Sequence, residues 1–125
     1  MENHKLIEVG KYEKEFNEIM GLNLPIVKIY QSNGLPSHMK KHGHAHCIKY
    51  LDKIPEILKK PDYIGKNPKE ENSVEFIKKY DGNILVAIKL DKTGDYLYVA
   101  SMYELKESKL MRRLNSGRMH IYEKT

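Results

Sequence analysis

The run Ile84-Leu85-Val86-Ala87-Ile88-Lys89-Leu90 constrains the fold of this chain more than any other stretch. It is apolar apart from Lys89 and is bounded by two turn clusters, Asp81-Gly82-Asn83 and Asp91-Lys92-Thr93-Gly94-Asp95. A short, β-branched apolar run between turn residues reads as a buried strand. The second turn leads into Tyr96-Leu97-Tyr98-Val99-Ala100-Ser101-Met102-Tyr103, a second strand signal. Residues 73–80 alternate in part, with Val74 and Phe76 apolar. Strands joined by such turns make an antiparallel meander.

The first half has a different rhythm. Residues 5–9 predict a short strand closed by Gly10, and residues 24–30 another, ahead of the Ser32-Asn33-Gly34 turn. Between them, Tyr12, Phe16, Ile19 and Met20 recur at helical spacing, with Gly21 as the stop. A helix is predicted from Pro36 or Ser37 to about Leu51, and a shorter one follows, with Asp52 as cap and Pro55 in its first turn. After the meander, residues 104–114 read as a helix and residues 118–122 as a last short strand. This order predicts an α+β fold, with N-terminal helices packed on a four- to five-stranded antiparallel sheet. No linker or repeat divides the 125 residues, so a single domain is expected. Residues 1–30 are read as an N-terminal extension and residues 31–125 as the core.

The composition narrows the partners. Lys and Arg number 22 against 17 Asp and Glu, a net charge of +5, which favours a polyanion, nucleic acid above all. One cysteine, Cys47, excludes a disulfide framework and suits a reducing compartment. No signal peptide and no run of about 20 apolar residues is visible, so a soluble, cytoplasmic protein without a membrane partner is expected.

The chemistry-bearing residues gather in one place. Four of the six histidines, His38, His42, His44 and His46, fall within nine residues, beside Lys40 and Lys41. Imidazole exchanges protons near neutral pH, so the cluster reads as proton-transfer chemistry, a metal site or a phosphate-binding surface. On a continuous helix His38, His42 and His46 share one face, with Gly43 weakening the helix between them.

The succession of motifs also resembles a known group. The His38-Met39-Lys40-Lys41-His42 segment leads into Ile54-Pro55-Glu56-Ile57-Leu58-Lys59-Lys60-Pro61-Asp62-Tyr63-Ile64-Gly65. The strand through Leu90, the stretch Tyr98-Val99-Ala100-Ser101-Met102-Tyr103 and a late Ser116-Gly117-Arg118 follow. Over residues 30–122 this order resembles the phage-type Barnase/EndoU/colicin/RelE-like nuclease families (PBECR). The resemblance implies metal-independent endoribonuclease activity with no cofactor, in a phage or mobile-element effector or toxin. It places catalytic roles on His42, His38, Ser101 and Arg118. Tyr103, as a further catalytic residue, and Lys89 are extrapolated from strand position. Lys41, His46, Lys89 and His120 are the candidate substrate-binding residues. RNA is the expected partner, with an immunity or antitoxin protein as a second.

The chemistry suits that assignment. Cleavage by the RNA 2′-hydroxyl needs a base, an acid and cations at the phosphoryl oxygens. His42 serves as base or acid, with His38 or His46 as the other or as its orienting neighbour, and Arg118 clamps the phosphate through its planar fork. Two alternatives stand beside it. One is a non-catalytic RNA-binding or host-protein-interacting domain on the same fold. The other is a zinc-binding protein using the histidine-rich helix, with Cys47, Asp62 or His120 as a fourth ligand.

Overall fold

The apolar run seeds the sheet as its composition dictates. In the computed structural model, which describes residues 5–122, it forms β5 (Asn83–Leu90). β4 (Ser73–Lys79) and β6 (Leu97–Leu105) pair with it antiparallel on either side. The remaining strands are β1 (Leu6–Lys11), β2 (Lys28–Ser32), β3 (Tyr63–Lys66) and β7 (Met119–Ile121). Four α-helices complete the fold: α1 (Lys14–Met20), α2 (Leu35–Lys41), α3 (Ile54–Lys59) and α4 (Glu107–Asn115). A 3-10 helix, Ala45–Lys53, lies between α2 and α3. Among the described residues no helix is long and apolar enough to cross a membrane.

The fold is α+β, but the sheet is larger than expected and is mixed. Its seven strands run in the order β1-β2-β6-β5-β4-β3-β7. This replaces the expected four- to five-stranded antiparallel sheet under N-terminal helices. β1 and β2 pair antiparallel, and β2 joins β6 in parallel through only Ile29↔Leu97 and Tyr30↔Tyr98. A parallel pair has no connecting turn, so nothing local in the sequence announces it. The helices are also interleaved with strands, and α4 follows the meander.

The pleat gives the sheet two unlike faces. On one, Phe16 of α1 packs edge-on against Phe76 at 5.2 Å between ring centres, beside Tyr12 and Tyr122. Met39, Ile54, Ile57 and Leu58 from the other N-terminal helices join this core, with Val86 and Ile88 beneath. β1 and α1 therefore belong to the same core as the meander, through Tyr12, Phe16 and Met20. Residues 1–4 and 123–125 lie outside the described residues. On the other face, α4 sets Leu110 over Ile77, Leu85, Leu105 and Met119, and covers only that end of the sheet.

The predicted long histidine helix is broken. α2 ends at Lys41 with His42 as its cap, Gly43 takes φ +78°, and the chain resumes as the 3-10 helix at Ala45. Glycine adopts that left-handed turn without steric cost, so the i, i+4, i+8 face shared by His38, His42 and His46 does not form.

A second glycine matters for packing. A Cβ on Gly65 would stand 2.5 Å from the Arg118 carbonyl oxygen and 2.9 Å from Met119 Sδ. Gly65→Ala should therefore part β3 from β7 and cost about 1–3 kcal/mol, measured by urea unfolding.

Candidate active site

The half of the second face that α4 leaves open is built from alternate residues of three strands. In register, Ser73 opposes Lys89, Lys89 opposes Tyr98, Glu75 opposes Ala87, and Ala87 opposes Ser101. Tyr98 and Ser101 are three residues apart and share this face because the register shifts there, leaving Ala100 as an extra residue.

The histidines reach this face along the β6 edge. β2 leaves β6 after Tyr98, and α2 and the 3-10 helix run beside the rest of that strand. His38 then lines a cleft of about 480 Å³ with Ser32, Glu70, Lys89, Tyr98 and Ala100. Lys89 Nζ is held 2.9 Å from Glu70 Oε2. The His42 ring lies 4.4 Å from that of His38, tilted by 44°.

The two basic groups of the cleft differ in charge state. Burial, and then the neighbouring His42, His44 and Lys41, hold the His38 imidazole below its usual pKa. His38 is thus neutral at pH 7 and able to accept a proton. Lys89 is shifted the other way, first by its hydrogen bond to Glu70 and then by that carboxylate's charge, so it stays protonated. Lys41 lies exposed in the last turn of α2 and bears on the site through its field on His38.

Across the face sits a second group of charges. Glu75, only 2% exposed, accepts 3.0 Å hydrogen bonds at one oxygen from Arg113 of α4 and from Arg118. Arg118 Nε also donates to the Lys66 carbonyl at 3.3 Å. Two guanidiniums on one carboxylate leave one net positive charge, and a guanidinium has five donors, so both keep N–H groups for another acceptor. Glu75 and Ser101 flank Ala87 in one row, about 10 Å apart at two strand spacings.

The sequence-derived candidates divide accordingly. Lys89 and Ser101 share the second face by register, and His38 meets Lys89 in the cleft, with His42 beside it. Tyr103 lies on the same face, but His44 stacks on its ring at 5.3 Å and 28°. His46 is drawn away from the cleft to within 3.9 Å of Glu104 Oε1. His120 opposes Ile64 on β7, the far edge strand, and shares the face of that buried core residue rather than that of Met119. Neither His46 nor His120 joins the cleft. Among the described residues, no three His, Cys, Asp or Glu side chains converge as metal ligands do. Cys47 is buried in the core, and Asp62 Oδ2 accepts the Lys79 N–H.

Sequence reasoning passed over Tyr98, Glu70, Glu75 and Arg113, and it gave His44 no role beyond membership of the histidine cluster. Tyr98 was hidden by the register shift, and Glu70 by its polar loop. Glu75 carried a usable signal, being a carboxylate between the apolar residues Val74 and Phe76.

A family model described as phage-Barnase-EndoU-ColicinE5/D-RelE like nuclease3 matches residues 7–112, and the chain belongs to that family of nuclease-like domains. The match takes in β1, α1 and β2 as well as the meander, and ends at Arg112. No curated protein and no solved structure matches the chain.

Two measurements follow from these contacts. NMR titration should find His38 half-protonated below the ordinary histidine value of about 6.5, and His42→Gln should raise it, because one like charge is removed. Glu75→Ala leaves two partly buried guanidiniums facing each other, so it should cost about 3–5 kcal/mol in chemical denaturation.

Proposed function

We propose that the protein is an endoribonuclease that cuts RNA by attack of the 2′-hydroxyl, without a metal. The observation that carries this reading is the meeting of His38 and Lys89 in one cleft, where burial favours the neutral imidazole. In the step, His38 takes the 2′-hydroxyl proton as the 2′-oxygen bonds to phosphorus. The bond from phosphorus to the 5′-oxygen breaks, and His42, exposed beside His38, gives that oxygen a proton. Lys89 and the Ser101 hydroxyl face the phosphoryl oxygens, where negative charge builds. The products are a 2′,3′-cyclic phosphate and a 5′-hydroxyl.

This arrangement gives Arg118 a different task from clamping the reacting phosphate. Its guanidinium is committed to Glu75, on β4, while His38 enters at the β6 edge. With Arg113 it forms a fixed positive site for the phosphate of an adjoining nucleotide. Tyr103, already stacked by His44, supports that histidine and takes no part in the chemistry.

His38→Ala should slow cleavage of an RNA oligonucleotide by about 10²–10⁴-fold while leaving the unfolding midpoint nearly unchanged. A single 2′-deoxy nucleotide at the cut site should block the reaction. Cutting of that substrate at the normal rate would remove the mechanism.

A further inference from the structure

A second cavity, also about 480 Å³, lies beside the histidine cleft, and the two share Glu70 as a common wall. It opens between residues 22–24, which follow α1, and the loop from β3 to β4. Ser73, which lines it, is paired directly with Lys89, so the cavity begins one strand from the cleft.

Its first wall is held firmly. The Asn17 side chain donates to the Leu24 carbonyl at 2.8 Å, accepts the Leu24 N–H at 3.1 Å, and accepts the buried Tyr12 hydroxyl at 2.8 Å. These bonds fix Leu22 and Leu24 as an apolar surface before any ligand arrives. The opposite wall contains Asn72, whose φ of +59° is the only positive value outside glycine among the described residues. Its carbonyl accepts the Leu90 N–H at 3.0 Å, which ties this backbone to the end of β5. The side-chain amides of Asn23 and Asn72, one on each wall, make no hydrogen bond within the described chain. Each offers a donor and an acceptor.

We infer that this cavity is a nucleobase subsite, taking the base of a nucleotide whose phosphate lies at Lys89. The inference rests on the nuclease reading of the adjoining cleft. Chemistry selects a base over a second phosphate. The cavity wall carries Glu70 and Glu71 as well as Lys66, and Glu70 is already engaged with Lys89. That balance disfavours an anion and suits a neutral planar ring. Leucine side chains supply an apolar contact for a ring face, and the exposed amides of Asn23 and Asn72 offer a donor and an acceptor each to its edge.

The test uses the full chain and the four 5′-ribonucleoside monophosphates, followed by NMR, with inorganic phosphate as the reference ligand. At least one nucleotide should shift the methyls of Leu22 and Leu24 and the side-chain amide of Asn72, whereas phosphate alone should not. Asn23→Ala and Asn72→Gly should each weaken that nucleotide roughly tenfold and leave phosphate binding unchanged. Glycine is chosen at position 72 because it keeps the positive φ. Shifts confined to the His38 and Lys89 cleft would overturn the inference. RNA cleavage with a base preference unaltered in both variants would overturn it too, while sparing the nuclease reading. Nucleotide bound in this cavity by a protein that cuts no RNA would do the reverse.

Discussion

The positions of His38, His42, His44 and His46 depend on how little of β6 is paired with β2. The parallel contact spans two residue pairs, Ile29↔Leu97 and Tyr30↔Tyr98, and then β2 parts from β6, its last residues pairing with β1 alone. Beyond it the long strand β6 still has an edge to cover, and an unpaired edge is an opening for aggregation. The chain covers it with α2 and the 3-10 helix, whose anchors Leu35, Met39 and Cys47 are buried in the main core. The same residues that close the edge thereby set His38 beside Tyr98 and His44 over Tyr103. A longer β2 would place backbone where the imidazoles now stand.

The break at Gly43 serves the same geometry. A straight helix from Leu35 would keep to one axis, rising about 1.5 Å per residue, and would hold all four histidines on a single rod. Left-handed Gly43 turns the chain back so that residues 44–47 follow the strand. His38 and His42 stay on the α2 side of the turn, and His44 and His46 go to Tyr103 and Glu104. The cluster that looks uniform in sequence is thus split into a pair with chemical potential and a pair that fastens the segment down.

What was legible in the sequence follows from the range of each interaction. β5 and β6 were plain, because apolar content, β-branching and flanking turns are all local. The helix read over residues 104–114 was plain too, with Leu110 as its core contact, although it begins only at Glu107 because β6 runs on to Leu105. The parallel joining of β2 to β6 was not, because the partners are remote and share no turn. The face assignment of Ser101 depended on a register shift that no residue type specifies. Arg118 was singled out by its motif, but its role turns on Glu75, a strand carboxylate whose burial requires α4 and the segment before β7 to arrive first. Gly65 between them read as an ordinary motif residue, yet its missing side chain is what lets the Arg118 backbone lie close.

Two glutamates on or beside this face hold cations, Glu75 two arginines and Glu70 one lysine, and their burial decides what each group can do. Glu75 is enclosed, and separating it from both arginines would leave an unpaired charge in poor solvent, so that group is fixed. Glu70 is half exposed, as is Lys89, and water screens their attraction to a weak interaction. Lys89 can therefore exchange Glu70 for an arriving phosphate at small cost, while Glu70 keeps it protonated and aimed until then. A cleft that must bind and release a phosphodiester needs one exchangeable cation near the base, and a fixed one farther along to set the register of the strand. The exposed pair lies on the His38 side and the buried group lies across the sheet, which is the order that the proposed reaction requires.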